Sequence, residues 1–152
     1  MTGYIGQFIM GNEPDHHVPY LYNWTAEPWK TQEYVDQAMK EFFHPTKAGL
    51  IGNEDVGQMS AWYIMGALGF YQVNPGAPIY TIGRPLFDEV KFDIDDGQFT
   101  ITAENNSPDN IYVESVTING KPLGNHYTFA HSEIMAGGEL HFVMTNKKPT
   151  IK

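Results

Sequence analysis

Two short loops concentrate the side chains of this chain that could do chemistry. Acid loop 1 is Gly11-Asn12-Glu13-Pro14-Asp15-His16-His17, and acid loop 2 is Gly52-Asn53-Glu54-Asp55-Val56-Gly57-Gln58. Each precedes an apolar helical pattern, and each combines carboxylates with amides or imidazoles in a short turn. Carboxylate and amide oxygens held at the ends of elements are typical of calcium sites and of the acid/base pairs that cleave glycosidic bonds.

Asp55 in acid loop 2 has two interpretations. It can cap a helix by accepting backbone N–H groups, which stabilises a protein by about 1 kcal/mol. It can also serve as a general base, because an ionised carboxylate at an accessible helix start can take a proton from water. Asn53 and Glu54 add more oxygens than one cap requires, and Gly52 and Gly57 free the backbone. The residues alone leave both interpretations open.

Asn12 and Glu13 in acid loop 1 have a similar pair of interpretations. They form a polar surface turn or a helix cap with Pro14 at the first helical position, or they contribute to a calcium shell. Calcium takes six to eight oxygen ligands, usually from more than one segment. The spacing is not that of an EF-hand, so two such loops predict only part of a shell.

The adjacent histidines His16 and His17 do not predict a zinc site. Neighbouring side chains on a helix point about 100° apart and chelate one ion poorly, and no His-Glu-x-x-His motif occurs. We expect these histidines to face a ligand or to be hydrogen-bonded within the fold. His131 and His141 lie among predicted strands, and we expect them to be structural.

The composition narrows the class of partner. The chain has 152 residues, of which 41% are hydrophobic and 14% aromatic, so it predicts a globular domain. Its net charge of -9 argues against nucleic acid or an anionic membrane as partner and is compatible with a cation or a neutral polar ligand.

Cysteine is absent, which excludes thiolate metal sites, cysteine nucleophiles and disulfides. No run approaches the roughly 18 apolar residues of a membrane span, and the start has no signal-peptide pattern.

The first 84 residues predict helices. Thr31 is placed to cap a helix whose buried face is Val35, Ala38, Met39 and Phe42. A second helix is predicted to start at Asp55, with Gln58 three residues later as in a capping box. Residues 59–68 are apolar on nearly every side, and such a helix must be covered all round. We therefore expect neighbours from a longer chain, or from a second copy of this one.

Residues 85–152 predict a β domain. Apolar and polar residues alternate over 90–94 and 99–103, and turn sequences such as Asp95-Asp96-Gly97 and Asn119-Gly120 separate the strands. The Asn119-Gly120 pair after Val116-Thr117-Ile118 predicts a hairpin. The sequence thus predicts an α+β chain that ends in a small antiparallel sandwich.

Eight aromatic residues lie in the first part of the chain. Most are expected in the core, and some could form a platform on which a sugar stacks. Composition alone does not say which of them would do so: Tyr20, Tyr22, Trp24, Trp29, Trp62, Tyr63, Phe70 and Tyr71.

Several long motifs resemble the glycoside hydrolase family 92 α-mannosidases. The run Gly-Asn-Glu-Pro-Asp-His-His-Val-Pro-Tyr-Leu-Tyr-Asn at 11–23 carries the resemblance, as does Gly-Asn-Glu-Asp-Val-Gly-Gln-Met-Ser-Ala-Trp-Tyr at 52–63. Residues 28–32, 67–71, 118–123 and 131–144 agree as well. The resemblance covers nearly the whole chain.

The resemblance implies an exo-acting, calcium-dependent, inverting α-mannosidase, with α-1,2-linked mannose as the expected substrate although the residues do not fix the linkage. It implies a fold in which residues 1–84 are the last helices of an (α/α)6 toroid and residues 85–152 are the carboxy-terminal β domain. Members are several times longer than this chain. We therefore expect a carboxy-terminal fragment that is inactive alone, because the family's general acid lies in an upstream glutamate motif.

The resemblance also assigns roles to individual residues. Asp55 matches the catalytic base, and Asn12, Glu13 and Asp55 match the loops around the metal. Glu13, His16, His17 and Asn53 are the expected substrate-binding residues. Two positions depart from the pattern: Asn53 stands where some members have a second aspartate, and Met10 where many have a histidine.

The expected partners are a mannose-containing glycan, Ca²⁺ and the remainder of a longer parent chain, with self-association through the apolar helix a further expectation. The resemblance implies a periplasmic or extracellular parent. The alternative is a non-catalytic carbohydrate-binding or structural module with degenerate acids. An upstream acid glutamate would distinguish the two.

Overall fold

The computed structural model describes residues 3–95 and 97–149. The first part contains the hairpin strands β1 (Tyr4–Ile5) and β2 (Phe8–Ile9), the 3₁₀ segments Glu13–Asp15 and Val18–Trp24, and helices α1 (Trp29–Phe42) and α2 (Gln58–Leu68). Next come strands β3 (Phe70–Tyr71), β4 (Ile79–Ile82), β5 (Glu89–Ile94), β6 (Gly97–Glu104), β7 (Tyr112–Ile118) and β8 (Lys121–Pro122). The chain continues with a 3₁₀ segment at Asn125–Tyr127, strand β9 (Thr128–Ala130), helix α3 (His131–Met135) and strand β10 (Gly138–Thr145).

Helix α1 confirms the predicted apolar face and corrects the predicted start. Val35, Ala38, Met39 and Phe42 are all buried, as the spacing of three and four residues requires. The helix begins at Trp29 and not after Thr31. Thr31 is buried inside the first turn, where its hydroxyl donates to the carbonyl of Tyr20 at 3.4 Å.

Helix α2 begins later than the sequence predicted. Its first residue is Gln58, and Gly57 precedes it in a left-handed conformation without a side-chain cap bond. The predicted capping box of Asp55 and Gln58 is therefore wrong. Trp62 is fully buried, whereas Ile64 on another side of the helix is 58% exposed. One face of α2 is thus uncovered in this chain. None of the helices in the described ranges is long and apolar enough to cross a membrane.

The β part is a sandwich of two sheets. The larger sheet has the strand order β5-β6-β10-β7-β8, and the smaller one has the order β3-β4-β9. Inward residues of the larger sheet alternate along its strands, as Leu140, Phe142 and Met144 do on β10. These side chains pack with Phe70 and Phe129 from the smaller sheet. The predicted α+β class and terminal sandwich are confirmed.

Two details of the larger sheet refine the prediction. All its neighbouring pairs are antiparallel except β6 and β10, which run parallel with Ile101 opposite Leu140. The hairpin at Asn119-Gly120 is confirmed, since both residues have positive φ and Ile118 pairs with Lys121. In the predicted turn Asp95-Asp96-Gly97, Asp96 lies outside the described residues.

Two hydrophobic cores meet at α2. Trp62 and Met59 belong to the helical core with Val35, whereas Leu68 at the end of the same helix belongs to the core of the sandwich. Strands β3 and β4 precede residue 84, yet β4 pairs with β9 beyond it. The division at residue 84 stays a prediction, and the packing is continuous across it.

A buried ion pair joins α1 to the β part. Nε of Arg84 lies 3.2 Å from Oδ1 of Asp36, and both side chains are less than a tenth exposed. The two atoms are not aligned as a hydrogen bond, but the guanidinium also donates to the carbonyls of Pro85 and Ser107. Lys40 holds the other carboxylate oxygen of Asp36 at 2.7 Å. This pairing offsets the cost of burying the charges and fixes the helical core, and with it both acid loops, on the sandwich.

Candidate functional site

Acid loop 1 is a tight turn that leads directly into the first 3₁₀ segment. Backbone bonds from Asp15 N to Asn12 O (2.9 Å) and from His16 N to Glu13 O (3.0 Å) hold this turn. Pro14 fits here because it has no N–H to satisfy at a helix start. Asn12 makes no side-chain cap bond and is exposed. Of the interpretations of this loop, a capping role for Asn12 is therefore wrong.

The backbone of acid loop 2 has unusual dihedral angles. Asp55 and Val56 have φ values of 46° and 58°, between Gly52 at 86° and Gly57 at 92°. Positive φ is uncommon for residues other than glycine and is a real outlier for a β-branched one such as Val56. This conformation turns the chain so that Asp55 is exposed at the start of α2. Strained backbone of this kind clusters at functional sites.

Glu54, and not Asp55, takes the capping role at α2. Oε1 of Glu54 accepts a hydrogen bond from the backbone N–H of Ser60 at 3.2 Å. The carboxylate thereby satisfies one of the free N–H groups of the first turn. Within the described part of the chain, Asp55 accepts no such bond from α2, so its carboxylate is available for other partners. The capping interpretation of Asp55 is therefore wrong, and its role as a general base stays a prediction.

The two acid loops touch through glycine backbone. A Cβ built on Gly52 would lie 3.3 Å from the Cα of Gly11, at a φ of 86°. A side chain at this position would push the loops apart, since the neighbouring atom belongs to backbone. Glycine therefore permits the approach of two loops that are more than forty residues apart in the sequence.

The approach brings the carboxyls of Glu13 and Asp55 together. Glu13 raises the pKa of the Asp55 carboxyl above its ordinary value, first through a hydrogen bond between the two groups and then through like-charge repulsion. When both carboxyls are ionised, no proton lies between them to form a hydrogen bond. Oε1 of Glu13 is also buried without a hydrogen-bond donor among the described residues. The pair is therefore stabilised by a shared proton or by a cation.

An open cleft of about 550 Å³ lies beside this pair. Glu13, His16 and His17 from acid loop 1 line it, together with Gln58 from the start of α2 and Tyr71 from β3. The segment from Gln72 to Pro75 closes the opposite side. The volume of the cleft suits a small ligand such as a sugar ring and the groups attached to it.

A hydrogen-bond network fixes the back of the cleft. His16 is 1% exposed, with Nε2 2.9 Å from the carbonyl of Met10 and Nδ1 3.0 Å from Nε2 of Gln58. Gln58 also donates to the Tyr71 hydroxyl at 3.3 Å, and the Trp62 indole donates to the carbonyl of His16 at 2.9 Å. Since the amide of Gln58 is a donor, Nδ1 accepts and Nε2 carries the proton. Burial lowers the pKa of His16, which keeps the ring neutral.

The predicted site residues divide into three groups. Glu13 and Asp55 are in contact, and Glu13 lines the cleft together with His16 and His17. Asn12 and Asn53 are exposed in the same two loops, near the carboxyl pair in sequence but outside the lining of the cleft. His16 reaches the cleft with both ring nitrogens already bonded, whereas His17 is half-buried at the cleft wall.

Sequence reasoning missed the roles of Gln58 and Tyr71. The sequence placed Gln58 in a capping box, but its amide bonds to His16 and to Tyr71 inside the cleft. The signal was present, because Gln58 closes the same acid-rich motif. Sequence reasoning named Tyr71 only as one of eight aromatics without selecting it, and its place on β3 brings it to the cleft.

The carboxyl pair by itself is an incomplete metal site. Over residues 3–95 and 97–149, no cluster of three or more histidine, aspartate or glutamate side chains is arranged to hold a metal ion. Two adjacent carboxylates with a donor-free oxygen fit a hard cation, but calcium takes about six to eight oxygens. A calcium ion at this position would therefore need further oxygen ligands beyond the two carboxylates.

The model of the family described as glycosyl hydrolase family 92 catalytic domain matches residues 1–146. A family 92 α-mannosidase from Bacteroides thetaiotaomicron shares 41% identity and a TM-score of 0.88, covering 97% of this chain and 20% of its own. Its complex with mannoimidazole gives a TM-score of 0.89 at 41% identity, covering 97% and 19%.

Two further relatives agree. A family 92 inverting mannosidase from Bacteroides thetaiotaomicron shares 38% identity and a TM-score of 0.82, covering 90% of this chain and 19% of its own. A protein from Arthroderma benhamiae, described as an uncharacterized secreted glycosidase, is 27% identical over 139 residues, which are 89% of this chain and 18% of that protein. The chain therefore spans about a fifth of the length of these relatives.

Proposed function

The chain belongs to glycosyl hydrolase family 92, and we propose that it forms the base side of the active site of an exo-acting α-mannosidase that removes mannose from glycans. One observation carries the proposal. Two acid loops from distant parts of the chain meet so that the carboxyl of Asp55 lies against that of Glu13, and Glu13 lines an open cleft. A structural module has no need for a carboxyl, that of Asp55, whose ionisation a neighbouring carboxyl makes more costly.

Asp55 is the proposed catalytic base of an inverting reaction. Its carboxylate is exposed and is not used as a helix cap, so it can accept a proton from the attacking water. In inverting glycosidases the acid and the base stand about 6.5–9.5 Å apart to admit this water. Glu13 is too close to be the acid, because it contacts Asp55 directly. The acid therefore comes from outside these residues, and the chain alone is expected to be inactive.

Asn12, Glu13 and Asp55 are the proposed calcium ligands of this chain. The adjacent carboxyls and the buried, donor-free Oε1 of Glu13 support this assignment. When bound, calcium would neutralise the pair and hold vicinal hydroxyls of the sugar, which helps to distort the ring towards the transition state. Asn53 is the neighbouring amide that we propose to contact the substrate.

The cleft wall is proposed to position the mannose. His17 presents its ring at the wall, and Glu13 offers its carboxylate at the corner. His16 acts from behind, because its two ring nitrogens are bonded to Met10 and Gln58. Its neutral ring fixes the amide of Gln58, which then faces the ligand in one orientation.

A longer parent protein is part of this proposal. The relatives are about five times as long as this chain, which supports placing residues 1–84 among the last helices of an (α/α)6 toroid and residues 85–152 as the carboxy-terminal β domain. The uncovered side of α2 would then pack against earlier helices. By analogy with the secreted relative we propose an extracellular parent, with the periplasm as the second compartment to test. The proposed substrate linkage is α-1,2.

The direct test is Asp55→Asn in a full-length protein that carries this chain. We expect turnover of an α-1,2-mannoside to fall by roughly a hundredfold to ten-thousandfold, the usual range for general acid/base catalysis. The matched control is Asn53→Ala in the same exposed loop, for which substrate affinity should weaken while most of the turnover number is kept. Near-normal turnover of the Asp55→Asn protein would rule out the base assignment and favour a carbohydrate-binding module.

Glu13→Gln tests the calcium assignment separately. Isothermal titration of the variant with CaCl₂ should give much weaker binding than in the unchanged protein. If the calcium affinity were unchanged in both Glu13→Gln and Asp55→Asn, calcium would not bind at this site.

A further inference from the structure

A second, smaller pocket adjoins the cleft. It has a volume of about 100 Å³, and Trp24, Ile79 and Tyr80 form its apolar walls. Val73 lines both this pocket and the cleft. The two cavities are therefore neighbours that share the wall formed by this residue.

Trp24 is presented to solvent at this pocket. The side chain is 43% exposed, although indole stabilises a fold mainly when it is buried. Its ring stacks on the ring of His126, with centroids 5.4 Å apart and planes 21° from parallel. The indole is thus supported from behind while it lines the pocket. This arrangement is a rigid aromatic platform.

Tertiary contacts, and not the local backbone preference of the residue, hold His126 under Trp24. His126 and Tyr127 have φ values of 62° and 52°. Nδ1 of His126 lies 3.2 Å from the carbonyl of Asn23, and the Thr81 hydroxyl donates to the carbonyl of His126 at 2.9 Å. Left-handed residues other than glycine persist where the surroundings determine them, and they cluster at ligand sites.

The other groups of the pocket define the class of ligand. Every side chain that lines it is uncharged, so the pocket suits a neutral ligand. Oδ1 of Asn74 accepts a bond from Gly76 N at 3.0 Å, which leaves the amide N–H groups of Asn74 as donors at the rim. An aromatic face beside an amide donor suits a pyranose, which has an apolar face of C–H groups and hydroxyls at its edge.

We propose that Trp24 is the platform of a second sugar subsite, which takes the pyranose next to the mannose that is held in the cleft. This assignment rests on the proposed function and extends it to a substrate of at least two sugar units. Among the aromatic residues of the first half of the chain, it selects Trp24 as the one that serves sugar stacking, while Tyr20 and Trp62 are fully buried.

The test uses the indole N–H signals of the three tryptophans, Trp24, Trp29 and Trp62, in NMR spectra of the ¹⁵N-labelled chain. Trp24→Phe assigns the signal of Trp24. Methyl α-mannoside should shift backbone signals of the cleft, such as His17 and Gln58, and leave the Trp24 indole in place. α-1,2-Mannobiose should shift the cleft signals and the Trp24 indole together.

Affinities for the two sugars provide the second measurement. Trp24→Ala should weaken binding of the mannobiose on the order of tenfold, within the range of aromatic stacking platforms, and should leave methyl α-mannoside binding within a factor of two. His126→Asn keeps a residue that tolerates positive φ but removes the supporting ring, so we expect a smaller loss for mannobiose alone. Phe87→Ala, an exposed aromatic outside both cavities, is the control.

The outcomes separate the subsite from the proposed function. Cleft signals that respond to both sugars without a Trp24 response overturn the subsite and leave the mannosidase proposal intact. Equal losses for both sugars in Trp24→Ala would also overturn it, since the indole would then merely support the fold. If neither sugar shifts any signal of the chain, the subsite is also overturned, whereas the mannosidase proposal is decided by the turnover of the full-length Asp55→Asn protein.

Discussion

Gly11 and Gly52 bring their backbones so close that a Cβ on Gly52 would lie 3.3 Å from the Cα of Gly11. This contact joins acid loop 1 to acid loop 2. Glu13 lies two residues beyond Gly11, and Asp55 lies three residues beyond Gly52, so both carboxyls are close to this contact in the sequence. The carboxyl pair of the proposed active site therefore depends on two residues without side chains.

Gly52→Ala should destabilise the chain by about 2–4 kcal/mol, because it combines a left-handed residue with a backbone clash. Gly57→Ala in the same loop is the matched control. Gly57 has a φ of 92°, but no atom of the described residues would lie within 4 Å of an added Cβ. This variant should therefore lose only about 1–2 kcal/mol. Urea denaturation of the two variants measures the difference. Equal losses of stability in the two variants would mean that the contact with Gly11 does not contribute to the free energy of unfolding.

The stability of the calcium-free chain should depend on the ionisation of Asp55. Glu13 raises the pKa of Asp55 in the folded state, so the folded chain binds a proton more readily than the unfolded one. This contribution is present below the unfolded pKa, near 4, and is lost as the pH rises through the folded value. Denaturation midpoints across this window should show the loss, and Asp55→Asn should remove it. Calcium should restore stability at neutral pH only in the unchanged protein.

His16→Ala should destabilise the chain by about 2–4 kcal/mol, because it opens a cavity and leaves the Met10 carbonyl and the Gln58 amide without their partner. The neighbouring His17→Ala removes the same side chain at a half-buried position and should change stability by no more than about 0.5 kcal/mol. Thermal unfolding distinguishes the two variants. Comparable losses would contradict a specific structural role for His16.

A second pH effect should come from His16, with the opposite sign. Burial lowers the pKa of His16 in the folded state. Below a pH of about 6.5, the pKa of histidine in the unfolded chain, the unfolded chain therefore binds a proton that the folded chain does not bind. The stabilising contribution is present above that value and is lost as the pH falls through the folded pKa. Equilibrium denaturation between pH 7 and pH 5 should show a decline that His16→Gln flattens. An equal decline in the variant would point to another group.

Self-association through α2 also stays a prediction. Ile64 is 58% exposed and lines an apolar groove with Leu50 and Tyr63. Exposed apolar surface of this kind tends to find a partner, so the chain should sediment above its monomer mass at high concentration. Ile64→Glu should shift it towards the monomer, whereas Met135→Glu, at an exposed apolar position on α3, should not. A strictly monomeric unchanged chain would contradict the prediction.

Local patterns were enough to predict the two main helices and several strands of the β part. The apolar spacing on α1, the alternation on β5 and β6 and the turn at Asn119-Gly120 each reflect preferences within a few residues. Motifs of a dozen residues were enough to identify the family. Helix starts were less predictable. Asp55 and Thr31 both have cap chemistry, yet α1 begins at Trp29 after Pro28, and α2 begins at Gln58 after the left-handed Gly57.

The sequence by itself determined where the candidate site lies: acid loop 1 and acid loop 2 were identifiable from their carboxylates, amides and imidazoles alone. Only the tertiary structure decided what each of these residues contacts. It placed Glu13 against Asp55, gave the helix cap to Glu54, bonded His16 to Gln58 and set Trp24 on His126. The physical reason is that side-chain chemistry is a local property, whereas a shared proton, a hydrogen bond or a ring stack depends on distances between segments that only the packed chain brings together.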